Sequence, residues 1–387
     1  MERSNQRILT THSGSLPRSL ALVKLMVALS RREPVDDAEL AREVEESTGR
    51  VVRRQLEVGI DVGNNGEQAR ESFFTYVQHR LTGFAGEAER PIPRDITQFP
   101  TFLELKLPDY LRTMVNLVRP PKAVGEVRHA TLAPLQEECA GYERVLAQQE
   151  RPFVESFMTA ASPGIVAAAM LNEHYPSDED YIFAVAEALR PEYQYIVSRG
   201  FLLQVDCPDL AMEGHTSFAN RPLGEFLRFV ETNVSALNRA LDSLPRDRVR
   251  MHVCWGNYEA PHHLDVPMQE ILPLLYGANV GAVLLPFANP RHSHEWRCLQ
   301  ENPPPADWLV VAGVIDTTTN YVEHPEVVAE RIEHVAHAVG GPTRVLAGTD
   351  CGFDTAAGLG EVAEEVVWEK LRALRAGADL ATSRLFR

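Results

Sequence analysis

A closed (β/α)₈ barrel is the fold class this sequence predicts. Three observations carry it: eight short apolar runs that end in turn or polar residues, helical segments between them, and 387 residues, enough for one large barrel. The first run, ILTTHSG at 8–14, is extended and stops at Gly14. A helix follows from Asp36 to Val58, with Leu40, Val44, Val51, Val52 and Leu56 on one face and Asp36 and Asp37 as cap and first-turn charge. GIDVGNNGE at 59–67 is the second strand. The other six are FMTAASP (157–163), FLLQVDCPD (201–209), VRMHVCWG (249–256), VGAVLLPFANP (280–290), WLVVAGVID (308–316) and TRVLAGTDCG (343–352). Helical stretches such as 178–200 and 324–340 lie between them, the alternation expected of a parallel sheet. The proline-punctuated region from about 84 to 152 has weak barrel periodicity and is assigned to an insertion, with AVGEVRH at 123–129 as an extra strand. RPIPR (90–94) and ENPPPAD (301–307) are expected to be rigid surface loops, and residues 1–387 form one barrel domain.

Composition narrows the function classes. A hydrophobic share of 44% and a charged share of 24% are those of a soluble globular protein. Against 54 acidic residues stand 38 basic ones, a net charge of −16, which argues against nucleic-acid or anionic-membrane surfaces. The first residues hold no secretory apolar run, and no stretch is apolar enough to span a bilayer. The five cysteines (Cys139, Cys207, Cys254, Cys298, Cys351) are odd in number and scattered, unlike a disulfide framework. A cytoplasmic protein is expected, in which a working cysteine is a metal ligand or a nucleophile.

In a parallel barrel, chemistry gathers where the strands end. Ser13, Gly14 and Ser15 end the first strand, Asn64, Asn65 and Glu67 the second, and Asp206 and Asp209 the fourth. His252 and Cys254 end the fifth, Asn289, Arg291 and His292 the sixth, Asp316 with Thr317–Thr319 the seventh, and Asp350 with Cys351 the eighth. His252 and Cys254, two apart, share one face of a strand. With Cys351 they make a three-ligand set of the kind catalytic zinc uses, although the spacing alone also fits two buried core side chains.

The ordered segments ILTTHSGSLPRS, GIDVGNNGEQ, LQVDCPDL, HVCWGNY, FANPRHSHEW and LAGTDCGF resemble the cobalamin-independent methionine synthase family, in its short single-barrel form. The resemblance runs from about residue 7 to 382 and is related to the epoxyalkane:coenzyme M transferase branch. It implies a thiol alkyltransferase, with methyl transfer to homocysteine or a similar small thiol, through Zn²⁺ held by His252, Cys254 and Cys351. It further implies that Ser13, Gly14 and Ser15 hold the amino acid's carboxylate and that Glu67 and Asp206 hold its ammonium. Asn289, Arg291 and His292 are read as a clamp for an anionic group, or as partners of neighbouring acids, and Asp316 and Thr318 as the catalytic positions. The implied partners are a small thiol and a methyl or other alkyl donor, with a homo-oligomer admitted.

Two positions depart from the family pattern. Pro286 stands where the family has a glutamate ligand to zinc, and Thr318 where it has a histidine proton donor. Two thiolates and a neutral imidazole around Zn²⁺ sum to zero charge. Such a site is a stronger Lewis acid, but the sulfur it ionises is a weaker nucleophile. That favours a reactive electrophile, a sulfonium or an epoxide, over methyltetrahydrofolate. Glu259, His262, His263, His294 and Glu295 are the candidates for a replacement ligand. A non-catalytic zinc-binding relative and a barrel hydrolase or lyase using zinc-bound water are the competing readings.

Overall fold

Inward-facing polar side chains at the ends of eight parallel strands define the working face of the molecule. The computed structural model describes residues 1–31, 33–88, 92–113, 115 and 119–386, without the side chains of 107 and 109–113. Its barrel strands are β1 Leu9–Thr10, β2 Val62–Gly63, β3 Glu155–Ala161, β4 Leu202–Asp206, β5 Val249–His252, β6 Ala282–Pro286, β7 Leu309–Ile315 and β8 Val345–Thr349. They are hydrogen-bonded in parallel in the order 1-8-7-6-5-4-3-2, and a parallel bridge between Thr11 and Val62 closes the ring. All eight coincide with the apolar runs. The fold is a (β/α)₈ barrel.

Period-two alternation sorts each strand into two environments. Leu202, Leu284, Val311 and Leu346 join Phe157 in the barrel interior, whereas Leu203, Met251, Val283 and Ala347 pack outward under the helices. The same alternation turns Gln204 and Asp206, then Arg250 and His252, toward the axis above that apolar layer. Arg250 is fully buried there, donating to Gln204 Oε1 (2.8 Å), Thr11 Oγ1 (3.1 Å) and the His12 carbonyl (3.0 Å), with its guanidinium over the Phe157 ring. Burial pulls its pKa down to about 9, because taking a cation out of water opposes its charge.

Helix capping follows the sequence signals. The Asp36 carboxylate accepts from the Ala38 and Glu39 amides at the start of Asp37–Glu57, and Ser177 caps Asp178–Ser198 in the same way. Within the segment assigned to an insertion, Ala133–Ala147 is the helix that carries the chain from β2 to β3; its Tyr142 hydroxyl donates to the Gly63 carbonyl. Ahead of it lie short helices Arg94–Thr97 and Pro100–Thr113. The expected strand at 123–129 is reduced to a two-residue ribbon, Lys122–Ala123 against Phe84–Ala85. The Val124 and Gly125 amides both turn onto the Gly83 carbonyl, which interrupts the ladder, and pairing resumes only as the antiparallel bridge between Leu81 and His129. Arg90 and Pro91 of RPIPR lie outside the described residues, and Arg94 opens a helix rather than a loop. Among the described residues, no helix is long and apolar enough to cross a membrane.

Candidate metal centre and its two cavities

β5 and β8 bring His252, Cys254 and Cys351 together at the barrel mouth. One ligand atom of each lies within 4.8 Å of the others, and all three residues are buried. Among the described residues only one other group of metal-ligating side chains is as close-set, and it lies elsewhere. The two sulfurs are 3.9 Å apart and both cysteines are free. A disulfide needs about 2.05 Å between sulfurs. A tetrahedral Zn²⁺ with bonds of about 2.3 Å sets its sulfurs about 3.8 Å apart. The pair therefore fits a metal.

Charge within the cluster is shared. The hydrogen bond from Cys351 and the neighbouring His252 hold the Cys254 thiol well below its ordinary range, while Cys351 is pushed well above it. Burial works against a charged His252, but the Cys254 sulfur and Asp206 outweigh it and raise the imidazole to about 10. His252 Nδ1 lies 3.0 Å from Asp206 Oδ1, and Nε2 lies 3.2 Å from the Asp350 carbonyl. Asp206 Oδ1 also accepts from Gln204 Nε2 at 2.8 Å, so a buried chain runs from Arg250 through Gln204 and Asp206 to His252. A carboxylate on Nδ1 fixes the tautomer that offers Nε2 to a metal.

Two cavities meet at this cluster. One, of about 290 Å³, is lined by Ser13, Ser15, Glu67, Asp206, His252 and a largely apolar wall that includes Phe73, Phe74, Ile96 and Met212. The other, of about 370 Å³, is lined by Pro286, Asn289, Arg291, His292, Asp316 and Thr318 among others. Cys254 and Cys351 border both.

Glu67 is the least satisfied group in the first cavity. It is 2% exposed, its Oε2 has no hydrogen-bond partner among the described residues, and its φ of 58° is left-handed, unusual for a residue with a side chain. Burial, then the Asp206 charge, pushes its carboxyl up to about 7. Gly14 (φ 132°) makes room for it, since a Cβ there would stand 2.4 Å from Glu67 Oε1. Ser13 Oγ lies 2.9 Å from the Thr349 carbonyl and 3.2 Å from Thr349 Oγ1, pinning the turn to β8. Ser15 packs on Gly352, where a Cβ would meet its Oγ at 2.0 Å.

Across the cluster the polar groups are spent on the protein itself. Asp350 accepts from the Phe287, Ala288 and Asn289 amides and from Asn289 Nδ2; burial and the nearby Asp316 charge push it up to about 7 against those four donors. Asn289 Oδ1 in turn accepts from the Arg291 and His292 amides. His292 has both ring nitrogens on buried acids, Glu295 at 2.6 Å and Asp265 at 2.9 Å, which with burial opposing them raise it to about 9. Of the two readings of His292, pairing with neighbouring acids is the geometry seen. Exposed Arg291 lines the cavity and donates to the His263 carbonyl. Asp316 collects the Thr318 amide and the hydroxyls of Thr318 and Thr319.

Pro286 faces this second cavity beside the sulfurs. No candidate replacement ligand joins the cluster. Glu259 pairs with Lys106, His263 Nε2 lies 2.9 Å from Gln98 Oε1, Glu295 holds His292 and the Met268 amide, His294 is exposed, and His262 belongs to a different group. Gln204 and Arg250 were not singled out from the sequence, although both sit in the inward register of strands whose end residues were.

Fold and site together define a class: a (β/α)₈ barrel with a buried imidazole–dithiol cluster at the C-terminal ends of its strands. No family model matches the chain. It is 24% identical over 347 residues to a methionine synthase of Sulfolobus acidocaldarius, spanning 89% of this chain and 85% of that protein. It is 22% identical over 390 residues to a methionine synthase of Saccharolobus solfataricus, spanning 98% and 96%. Among solved structures, a B12-independent methionine synthase from Shewanella sp. W3-18-1, in complex with selenomethionine, superposes with a TM-score of 0.73 at 20% identity, covering 98% of this chain and 99% of that one. A putative vitamin-B12-independent methionine synthase from Listeria monocytogenes gives 0.64 at 20% identity, covering 97% and 99%. The structural likeness shows the fold. The sequence likeness to methionine synthases runs over nearly the whole length of the chain.

Proposed function

We propose that this protein is a zinc-dependent thiol methyltransferase whose acceptor is homocysteine or a closely similar small aminothiol. The observation that carries the reading is the position of the two sulfurs, 3.9 Å apart with His252 beside them, on the wall shared by two cavities. His252, Cys254 and Cys351 would hold the zinc. When bound, it supplies Lewis acidity that keeps an acceptor thiol ionised near neutral pH, where a free thiol of pKa about 8.5 is mostly protonated.

The chain's own residues do the rest. Asp206, held by Gln204, keeps the proton on His252 Nδ1. Glu67 and Asp206 bring two carboxylates to the acceptor cavity, where one ammonium satisfies both and draws Glu67 back to its ionised form. The Ser13–Ser15 turn faces the acceptor's carboxylate. The acceptor sulfur then attacks the donor's methyl carbon: an S–C bond forms, the bond from carbon to the leaving group breaks, and the leaving group departs with the electron pair into the second cavity. A thioether leaving a sulfonium departs neutral and needs no proton, while Asp316 with the Thr318 and Thr319 hydroxyls that it holds lines the side on which it leaves.

Pro286 favours a more reactive donor within this reading. A cluster without a carboxylate ligand is neutral and makes its thiolate a weaker nucleophile, which suits a sulfonium, or in a second reading an epoxide, over an N-methyl group. Assays with homocysteine against sulfonium, N-methyl and epoxide donors test this. The proposal expects homocysteine methylation that is lost on metal removal and restored by zinc. Turnover insensitive to chelation, or ester or amide hydrolysis without a thiol, would replace it.

A further inference from the structure

Outside the sulfur cluster, a second group of ligating side chains, two buried and one half-buried, stands against the acceptor cavity. Asp95, on the helix Arg94–Thr97, His215, in the loop after β4, and His262, in the loop after β5, each offer one ligand atom within 4.8 Å of the others. Asp95 is 0% exposed, and its Oδ1 has no hydrogen-bond partner among the described residues, while Oδ2 accepts from the His262 amide at 3.0 Å. His215, 1% exposed, has its Nδ1 3.2 Å from Asp265 Oδ1 but without a hydrogen bond, and its Nε2 on the Tyr258 hydroxyl at 2.8 Å. Asp265 also lies 3.1 Å from His262 Nδ1. Asp265 thus faces three imidazoles, those of His215, His262 and His292, while Asp95 Oδ1 and His215 Nδ1 have no hydrogen bond among the described residues. An orphan acceptor at full burial is costly unless something fills it.

We infer that Asp95, His215 and His262 form a second divalent-metal site, of the nitrogen–oxygen type that takes Zn²⁺ and its neighbours, with Asp265 orienting His262. A tetrahedral ion with bonds of about 2.0–2.1 Å sets its ligand atoms about 3.3 Å apart, and these atoms lie within 4.8 Å of one another. Asp265 on His262 Nδ1 is the kind of carboxylate partner that holds a metal-binding imidazole in place. The site ties together three segments that carry the acceptor cavity's wall: Ile92, Pro93 and Ile96 around Asp95, Met212 and Thr216 around His215, and Gly256, Asn257 and Tyr258 ahead of His262. A metal here would fix the cavity's shape without touching the reacting atoms.

Metal counting on the full-length protein after zinc dialysis tests this. Wild type is expected to hold about two zinc ions per chain, Cys254→Ser/Cys351→Ser about one, and Asp95→Asn/His215→Gln about one. Cobalt substitution checks which site survives. Asp95→Asn/His215→Gln should keep the near-ultraviolet sulfur-to-cobalt absorption, which also shows that it folds. Cys254→Ser/Cys351→Ser should keep only the weak visible bands of nitrogen and oxygen ligation. The inference is overturned if the cysteine variant holds no metal, or if Asp95→Asn/His215→Gln is folded and binds as much zinc as wild type. Failure of the methyltransferase reading looks different: wild type would hold zinc that the cysteine changes leave untouched.

Discussion

The two cavities that meet at Cys254 and Cys351 differ in how their polar groups are used. On the side of Glu67, its Oε2 is buried without a partner among the described residues and the wall is largely apolar. On the donor side Asp350, Asn289, His292 and Asp316 are already hydrogen-bonded to the protein. Unmet charge in a dry wall is a strong demand on whatever enters, because only a complementary group relieves it. Under the proposed function, the acceptor is specified by charge and the donor mainly by shape and by its reactivity toward sulfur.

The largest effect should come from the shared wall. Cys351→Ser is expected to cost at least about a thousandfold in kcat/KM together with the cluster's zinc, since both substrates meet at that sulfur pair. Glu67→Gln should follow, with a loss of about a hundredfold in kcat/KM for the amino-bearing acceptor and a much smaller one for a thiol lacking the amine.

The same residue gives the pH dependence a sign. Its carboxyl rises from the ordinary 4.5 to about 7 in the folded protein, so between those values the folded state holds more protons than the unfolded one. Stability without substrate should accordingly fall as pH rises from about 4.5 to about 7, by about 3 kcal/mol from this group. Urea melts at several pH values should show a smaller loss in Glu67→Gln than in wild type, the remainder coming from buried Asp350 and Asp209, whose carboxyls are also raised to about 7. Activity should move the other way: kcat/KM for the aminothiol rises through about pH 7 as Glu67 ionises.

Asp206→Asn tests the buried chain behind the metal. Loss of the carboxylate on His252 Nδ1 should weaken zinc by about 10–100-fold, read by competition with a chelator. The smallest change is expected on the donor side: Arg291→Ala should raise the donor KM less than about tenfold and leave the acceptor KM unchanged, because this exposed side chain is screened by solvent.

How much of this is legible in the sequence depends on how local the signal is. All eight barrel strands could be read, because each is a short apolar run ended by turn residues. The period-two rule also puts His252 and Cys254 on one face. Arg250 obeys the same rule two residues earlier, so the polar floor was within reach of the pattern. Its partner Gln204 comes from another strand, however, and that pairing is set by barrel closure. The Asp95–His215–His262 group could not be read at all, since its members are 120 and 47 residues apart in sequence and meet only through loop packing. The ribbon at 122–123 failed for a local reason: 123–129 has strand composition, but the amides at 124 and 125 converge on one carbonyl.

The central claim is that an acceptor thiol joins the metal held by His252, Cys254 and Cys351. Cobalt substitution tests it directly, because near-ultraviolet absorption counts thiolates on the metal. Adding homocysteine should raise that band by about half, as two sulfurs become three, with no such change in Cys254→Ser/Cys351→Ser. A band that is absent from the cobalt-loaded wild type, or one that homocysteine leaves unaltered, would contradict it.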